Sequence, residues 1–563
     1  MSIGPTSYAI RERDWIRYPR IIADGPPSLR PVRPWRRIVP IPPVPAVLAC
    51  DEAGSLWAHA VRVTVGFVQG GAVSASRGGE EPTTEDDLCL LSIRQQAALI
   101  QSRVVSATEL VSAHLRRIAA INPCVNAIVT LDPERALAEA AAADAAIARG
   151  DRTGPLHGLP AAIKDTHDAA GMRTTHGSPL RADNVPDEDE LVVARMRAAG
   201  AIVLGKTNVP EFGMGGHTDN TLFGPTRNPY DPALSAGGSS GGAAAALATG
   251  MATVCEGSDL GGSLRNPASF CNVVGLRPSP GRVPDIPTAF GWQPLLVNGP
   301  MGRTVDDTAL LLSVIAGPHP GSPLGLNQDP GMYTSIDPAD LRGLRVGWAP
   351  DLGGMVNVDP EVRAVIDAQI GTLLDLGCVV EEASIDFDGA DEAFRTLRAW
   401  TLAYLLDDAI RRHRDQLKPS LIWNVEEGRW LSGRDIAAAI ETQTRLYHRA
   451  REFFERYDLL VAPAASTVPF PVELEYPPFI DDVPQTTYLD WIRVGYDITM
   501  TGCPALALPA GFTPSGLPVG LQLVGPHHGE RGLLAVGKTF EQANPAGHRR
   551  ADLPALARRG LSA

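Results

Sequence analysis

The chain runs to 563 residues, 44% hydrophobic and 20% charged, with a formal net charge of −14. That composition is ordinary for a globular protein and the length can bury a large core, whereas the acidic excess argues against a nucleic-acid surface, which needs a basic face. There is no apolar run of the eighteen or so residues a membrane span needs. The seven cysteines (Cys50, Cys89, Cys124, Cys255, Cys271, Cys378, Cys503) lack CxxC or zinc-ligand spacing, so reduced thiols in the cytoplasm are expected.

Residues 1–83 read differently from the rest. Up to position 50 they carry eight arginines (Arg11, Arg13, Arg17, Arg20, Arg30, Arg33, Arg36, Arg37) against three acids (Glu12, Asp14, Asp24), and runs such as PPSLRPVRPWRRIVPIPPVP. Proline at that density breaks any helical period and leaves too little apolar surface to offset the entropy of ordering. The segment is expected to be a disordered extension, or text upstream of the true start, rather than a docking arm. The stretch before Cys50 is interrupted by prolines, which argues against a secretory signal.

From residue 84 the pattern becomes regular. Ser106 and Glu109 form an S-x-x-E capping box, followed by Leu110, Val111, Leu115 and Ile118 at helical spacing. Asp132, Pro133 and Gly150 mark the cap, first turn and stop of a second helix. LVVARMRAAG and then AIVLGKT read as helix, glycine and buried strand. LRGLRVGWAP followed by DPEVRAVIDAQIGTLLDLGCVVEEASI reads as strand, helix, strand. This alternation predicts an α/β fold with a mainly parallel or mixed sheet covered by helices, whose chemistry sits on loops at strand ends.

Two glycine-framed serine segments stand out, GGSSGGAAAALATG from 237 and VCEGSDLGGSLRNP from 254. The first is open to three readings: a turn into an alanine-rich helix, a phosphate cradle lacking the P-loop Lys-Ser/Thr, or a G-x-S-x-G nucleophile turn. The second favours a nucleophile. The N–H groups of Leu260, Gly261, Gly262 and Ser263 can converge as an anion-binding nest beside the Ser263 hydroxyl, with Asp259 and Arg265 as a flanking ion pair. A serine hydroxyl needs a base. Upstream, Lys164 ends the apolar run LPAAI, where partial desolvation favours the neutral amine; only four lysines occur, at 164, 206, 418 and 538. His157, His167, His176 and His217 show no HxH or HExxH spacing, so no metal is expected and they are read as structural or loop residues.

The blocks GLPAAIKDTHDAAGMRTTHGS, FGPTRNPYDPALSAGGSSGGAAAALATG and GSDLGGSLRNPASFCNVVGLRPSPGRVP, with NGPMGRTVDDTALLLSVIAG and GCPALALPAGFTPSGLPVGLQLVGPHHGE after them, resemble the amidase signature hydrolases in order and spacing. The resemblance runs over residues 84–556 and implies a single catalytic domain with a large mixed β-sheet core covered by helices on both faces, preceded by the 1–83 extension and followed by a tail at 557–563. It also implies a Ser-cisSer-Lys triad at Ser263, Ser239 and Lys164, with the bond into Ser239 cis and Ser240 supportive. The loop Gly213, Met214 and Gly215 would face the substrate. The implied reaction is amide hydrolysis through a serine acyl-enzyme, with a small-molecule amide and water as reactants. No cofactor, nucleic acid or membrane is expected, and a homodimer is a family-level expectation. Alternatives are ester or carbamate hydrolysis, or an A-type subunit of a tRNA-dependent amidotransferase. The pocket walls are expected from DIPTAFGWQPLLV, RAWTLAYLLDD and EYPPFIDDVPQTTYLDWIRVGYD.

Overall fold

A computed structural model describes residues 88–560. The 1–83 extension therefore lies outside the described residues, as do 561–563. Residues 557–560, read as the start of the tail, complete a helix, Leu553–Gly560. Capping explains why helices begin where the sequence says. Ser106 accepts from the Glu109 N–H and Glu109 answers to the Ser106 N–H, opening Ala107–Val125. Asp132 caps Pro133–Arg149, and Gly150 ends it in the left-handed region at φ 78°. The run after Asp359 is two helices, Pro360–Asp367 and Gln369–Asp375. Ala368 between them keeps helical dihedrals (φ −61°, ψ −24°), so the junction interrupts the hydrogen-bond ladder without a turn.

The strands of the main sheet are β1 (Ile128–Leu131), β2 (Pro160–Lys164), β3 (Ile202–Thr207), β4 (Val254–Asp259), β5 (Val274–Arg277), β6 (Val297–Gly302), β7 (Arg345–Trp348), β8 (Val379–Glu382), β9 (Leu459–Pro463), β10 (Ala505–Phe512) and β11 (Pro518–Val524). They form one eleven-stranded sheet in the order β1-β3-β2-β4-β6-β5-β10-β11-β9-β7-β8. Two parallel groups, β3-β2-β4 and β9-β7-β8, flank an antiparallel middle of β6, β5, β10 and β11. The sheet is therefore mixed. Helices cover it, and alternate residues of a strand feed separate cores: Leu460 and Ala462 pack into one apolar cluster and Val461 into the other. Strands β2, β3, β4 and β6 are buried along their whole length, which is why AIVLGK reads as a continuous apolar run rather than an alternating one.

Candidate active site

Strands β2 and β4 are parallel neighbours, paired at Ala161–Val254 and Ala162–Cys255, so their C-terminal ends open on the same edge of the sheet. Lys164 is the last residue of β2, and Ser258 and Asp259 close β4. The GGSS segment arrives from the other side and runs into the helix Gly241–Ala248, whose residues are all buried. Its glycines serve close approach: a Cβ on Gly242 would lie 2.4 Å from the Asn208 nitrogen. On β4, a Cβ on Gly257 would lie 2.5 Å from Ser240 Oγ, so glycine there lets the serine pair settle against the strand.

Lys164 is fully buried, and its Nζ lies 2.8 Å from both Ser239 Oγ and Ser240 Oγ and 3.0 Å from Ser258 Oγ. The Gly238–Ser239 peptide bond is cis. Burial drives the lysine pKa down to about 7, with the negative charges of Glu256 and Asp259 pulling the other way. An amine half-deprotonated at neutral pH, ringed by three hydroxyls, can take a proton from any of them. The backbone N–H of Ser240 donates to the Ser263 carbonyl at 3.2 Å, joining the two serine loops. No hydrogen bond joins the Ser239 and Ser263 hydroxyls; both residues line the same cavity.

Asp259 shapes the loop that carries Ser263. Its carboxylate accepts from the Gly262 N–H at 2.9 Å and the Leu264 N–H at 3.1 Å, and from Arg265 Nη2 and Nε at 2.9 and 3.0 Å. Arg277 approaches the same group at 3.4 Å. Burial opposes ionisation of Asp259, but the two guanidiniums outweigh it and hold the carboxyl well below the usual range. Gly262 sits at φ 109°, open to glycine alone, with its N–H turned to Asp259. Of the four N–H groups expected to form an oxyanion nest, that of Gly262 is thus engaged within the loop, leaving those of Leu260, Gly261 and Ser263.

Above these serines lies a cavity of 400 Å³. Ser239, Ser258, Gly261 and Ser263 line it, as do Gly213, Met214 and Gly215; a Cβ on Gly213 would lie 3.9 Å from Ser239 Oγ. All three segments read as pocket walls contribute, Asp285 to Val297 in part, Arg398 to Leu406 in part, and Tyr488 with Ile492. Trp491 and Tyr496 instead pack in the core.

Several groups escaped the sequence reading. Ser258 falls within the segment VCEGSDLGGSLRNP, where Ser263 alone stands out as a reactive serine. His167 and His176, read as structural, line the cavity, whereas His157 bonds the Ala143 carbonyl and His217 bonds Ser235. His167 Nδ1 is 2.6 Å from Glu256 Oε2, and Glu256 Oε1 accepts the Lys164 backbone N–H at 2.8 Å. Burial works against the charge on both, yet each favours the charge of the other, which moves Glu256 below and His167 above its usual value. An acid inside the apolar run ATVCEG was the available signal, because a buried carboxylate requires a partner. Arg398, 4% exposed, also lines the cavity, reaching Tyr488 and Asn424 and lying 3.3 Å from Met214 Sδ. Among the described residues no cluster of His, Cys, Asp and Glu is arranged to hold a metal ion.

Comparison with known proteins gives one result. The Amidase family model matches residues 109–534. An acylamidase of Rhodococcus erythropolis is 37% identical over 466 residues, covering 82% of this chain and 97% of that protein. The A-type subunit of the glutamyl-tRNA(Gln) amidotransferase of Moorella thermoacetica is 36% identical over 493 residues, covering 83% and 99%. Among solved structures, a bacterial aryl acylamidase of the amidase signature family superposes with a TM-score of 0.78 at 30% identity, over 83% of this chain and 98% of that one. A 6-aminohexanoate cyclic dimer hydrolase does so with a TM-score of 0.74 at 28% identity, over 83% and 99%.

Proposed function

Since this chain belongs to the amidase signature family, we propose that it is a self-sufficient amidase working through a Ser263 acyl-enzyme, with Ser239 relaying the proton to Lys164. The observation that carries the reading is the buried Lys164 Nζ, 2.8 Å from Ser239 Oγ, directly behind a serine that lines the same cavity as Ser263. Neutral Lys164 accepts the Ser239 proton as Ser239 takes that of Ser263, a step that needs a hydroxyl rotation to bring the two serines into contact. The Ser263 oxygen bonds to the amide carbon. The oxyanion rests on the N–H groups of Leu260, Gly261 and Ser263. The relayed proton goes to the nitrogen as the C–N bond breaks, and water then releases the acid and restores the serine. Ser240 and Ser258 hold the amine in place; Gly213 to Gly215 border the substrate. Asp259 and Arg265 fix the loop and do not touch substrate.

The same acyl chemistry serves esters and carbamates. A second reading, supported by the 36% identity to an A-type amidotransferase subunit, is a partner-dependent ammonia donor. The six cysteines among the described residues are buried and none forms a disulfide, which suits a reducing compartment. None of the described helices is long and apolar enough to cross a membrane. The test is amine or ammonia release by the purified chain from aliphatic amides, anilides, an ester, a carbamate and glutamine, beside Ser263→Ala. Turnover of amides that falls at least about a thousandfold in Ser263→Ala supports the amidase reading. Activity on glutamine that appears only with added partners sinks it in favour of the second. Removal of residues 1–80 is expected to leave turnover unchanged.

A further inference from the structure

One wall of the cavity carries two carboxyl groups with no cation committed to them. Glu190 precedes the helix Leu191–Ala198 but makes no side-chain cap bond to it, and its Oε1 accepts only the Asp168 N–H, at 3.2 Å. Asp285 is held against Glu190 by the backbone, since the Leu191 N–H donates to the Ile286 carbonyl at 3.0 Å. Its own Oδ1 accepts from Asn298 Nδ2 at 3.0 Å. Neither acid forms an ion pair with a described lysine, arginine or histidine. The cation whose charge reaches both is His167, whose Nδ1 lies 2.6 Å from Glu256, and the Lys206 ammonium, felt by Glu190, donates to the His167 carbonyl instead. Helix capping and ion pairing, the ordinary reasons for such acids, are therefore both missing.

A second observation is independent of the charges. Asn298 is 2% exposed and lines the cavity, yet its Oδ1 has no hydrogen-bond partner. A buried amide oxygen left bare costs about 1–3 kcal/mol, so it calls for a donor. Two carboxyls and one bare carbonyl oxygen on the same wall offer the acceptors that the three N–H donors of an ammonium need. Its position is set by the sheet: Asn298 on β6 pairs directly with Ser258 on β4, which puts the two side chains about 5 Å apart on one face. Ser258 in turn touches Lys164. A group bound there sits a few bonds from the carbonyl that Ser263 would attack.

We propose that Glu190, Asp285 and Asn298 form a subsite for a protonated amine, and that the amides this protein prefers carry such an ammonium two to three bonds from the scissile carbonyl carbon. This deepens the amidase reading and rests on it for the word substrate, though not for the binding itself. Burial keeps the Glu190 carboxyl up at about 7, and Asp285 is raised for the same reason, as expected of acids awaiting a counter-charge.

The test uses isosteric pairs in which NH3+ replaces CH3: glycyl against propionyl 4-nitroanilide, and β-alanyl against butyryl 4-nitroanilide. Binding is measured by calorimetric titration of the full-length Ser263→Ala protein at pH 7.5. The ammonium member of at least one pair is expected to bind tenfold or more tighter. Adding Glu190→Gln or Asp285→Asn, each near-isosteric and checked for folding by its thermal transition, should bring that ratio toward one. A ratio near one or below in both pairs overturns the proposal, as does a tenfold ratio unchanged in both variants. Turnover of the same compounds by the unsubstituted chain is read separately. No turnover with the binding preference intact would sink the amidase reading and leave the subsite standing; turnover with no preference would do the reverse.

Discussion

Lys164 has no exposed surface, and the amine at its tip faces only serine oxygens. If it is the base, catalysis requires it neutral. With its pKa brought down to about 7 by burial, kcat/KM should fall as the pH drops below about 7 and level off above it. Glu256 opposes that shift, so Glu256→Gln should move the acidic limb of the pH–rate profile to lower pH, a displacement that mere loosening of the fold would not cause. Lys164→Ala is expected to lower kcat about a hundred- to ten-thousandfold. At this scale the sequence was informative where residue types were unusual for their surroundings. A lysine closing an apolar strand and two serines framed by glycine pointed to positions that the fold gathers around one amine and the cavity above it. The role of Ser258 and the identity of the partner of Glu256 were not legible, because they come from β4 lying beside β2, and nothing local in the chain states that adjacency.

Helix ends were legible for the opposite reason, since caps are chemistry between neighbours in sequence. Ser106 with Glu109, and Asp132 with Gly150, declare their helices within a few residues. The order of the eleven strands was not, because it depends on pairings between distant segments such as Arg277 with Ala505. The helix Gly241–Ala248 lies between these cases. Its alanine-rich text announces a helix, but only the packing explains its two leading glycines. A methyl at Gly242 would meet backbone at 2.4 Å, with no flexible side chain to yield. Gly242→Ala is therefore expected to destabilise the protein by about 1–3 kcal/mol through overpacking, read as a lower denaturant midpoint at constant slope. Because Ser239 and Ser240 enter this helix directly, activity should fall with it.

Across the whole molecule, Arg265 is a joint. From its place two residues after Ser263 it reaches Asp259, Gln522 on β11 at 2.9 Å and Thr499 of the helix Arg493–Met500 at 3.0 Å, with no exposure to solvent. Removing it leaves Asp259 to Arg277 alone and strips the buried Gln522 and Thr499 of their donor. Arg265→Ala should thus cost about 3–5 kcal/mol in equilibrium unfolding, with little dependence on salt. The pH sign follows from Asp259. Its folded-state pKa lies below its unfolded one, so its stabilisation is complete above the unfolded value of about 4 and is lost as pH falls further. An acid-side decline in stability that is missing from Asp259→Asn would confirm this origin.

Lys164 lies behind Ser239 and does not border the cavity. The strongest latent nucleophile in the region is thereby withheld from whatever enters. On the proposed mechanism an electrophilic amide or ester would meet oxygen first, so that the acyl group would be handed to a serine, from which water can remove it, and not to an amine, where it would form a permanent amide. Serine-directed phosphonylating probes should accordingly label this protein, while amine-directed acylating reagents should spare Lys164 as long as the chain stays folded.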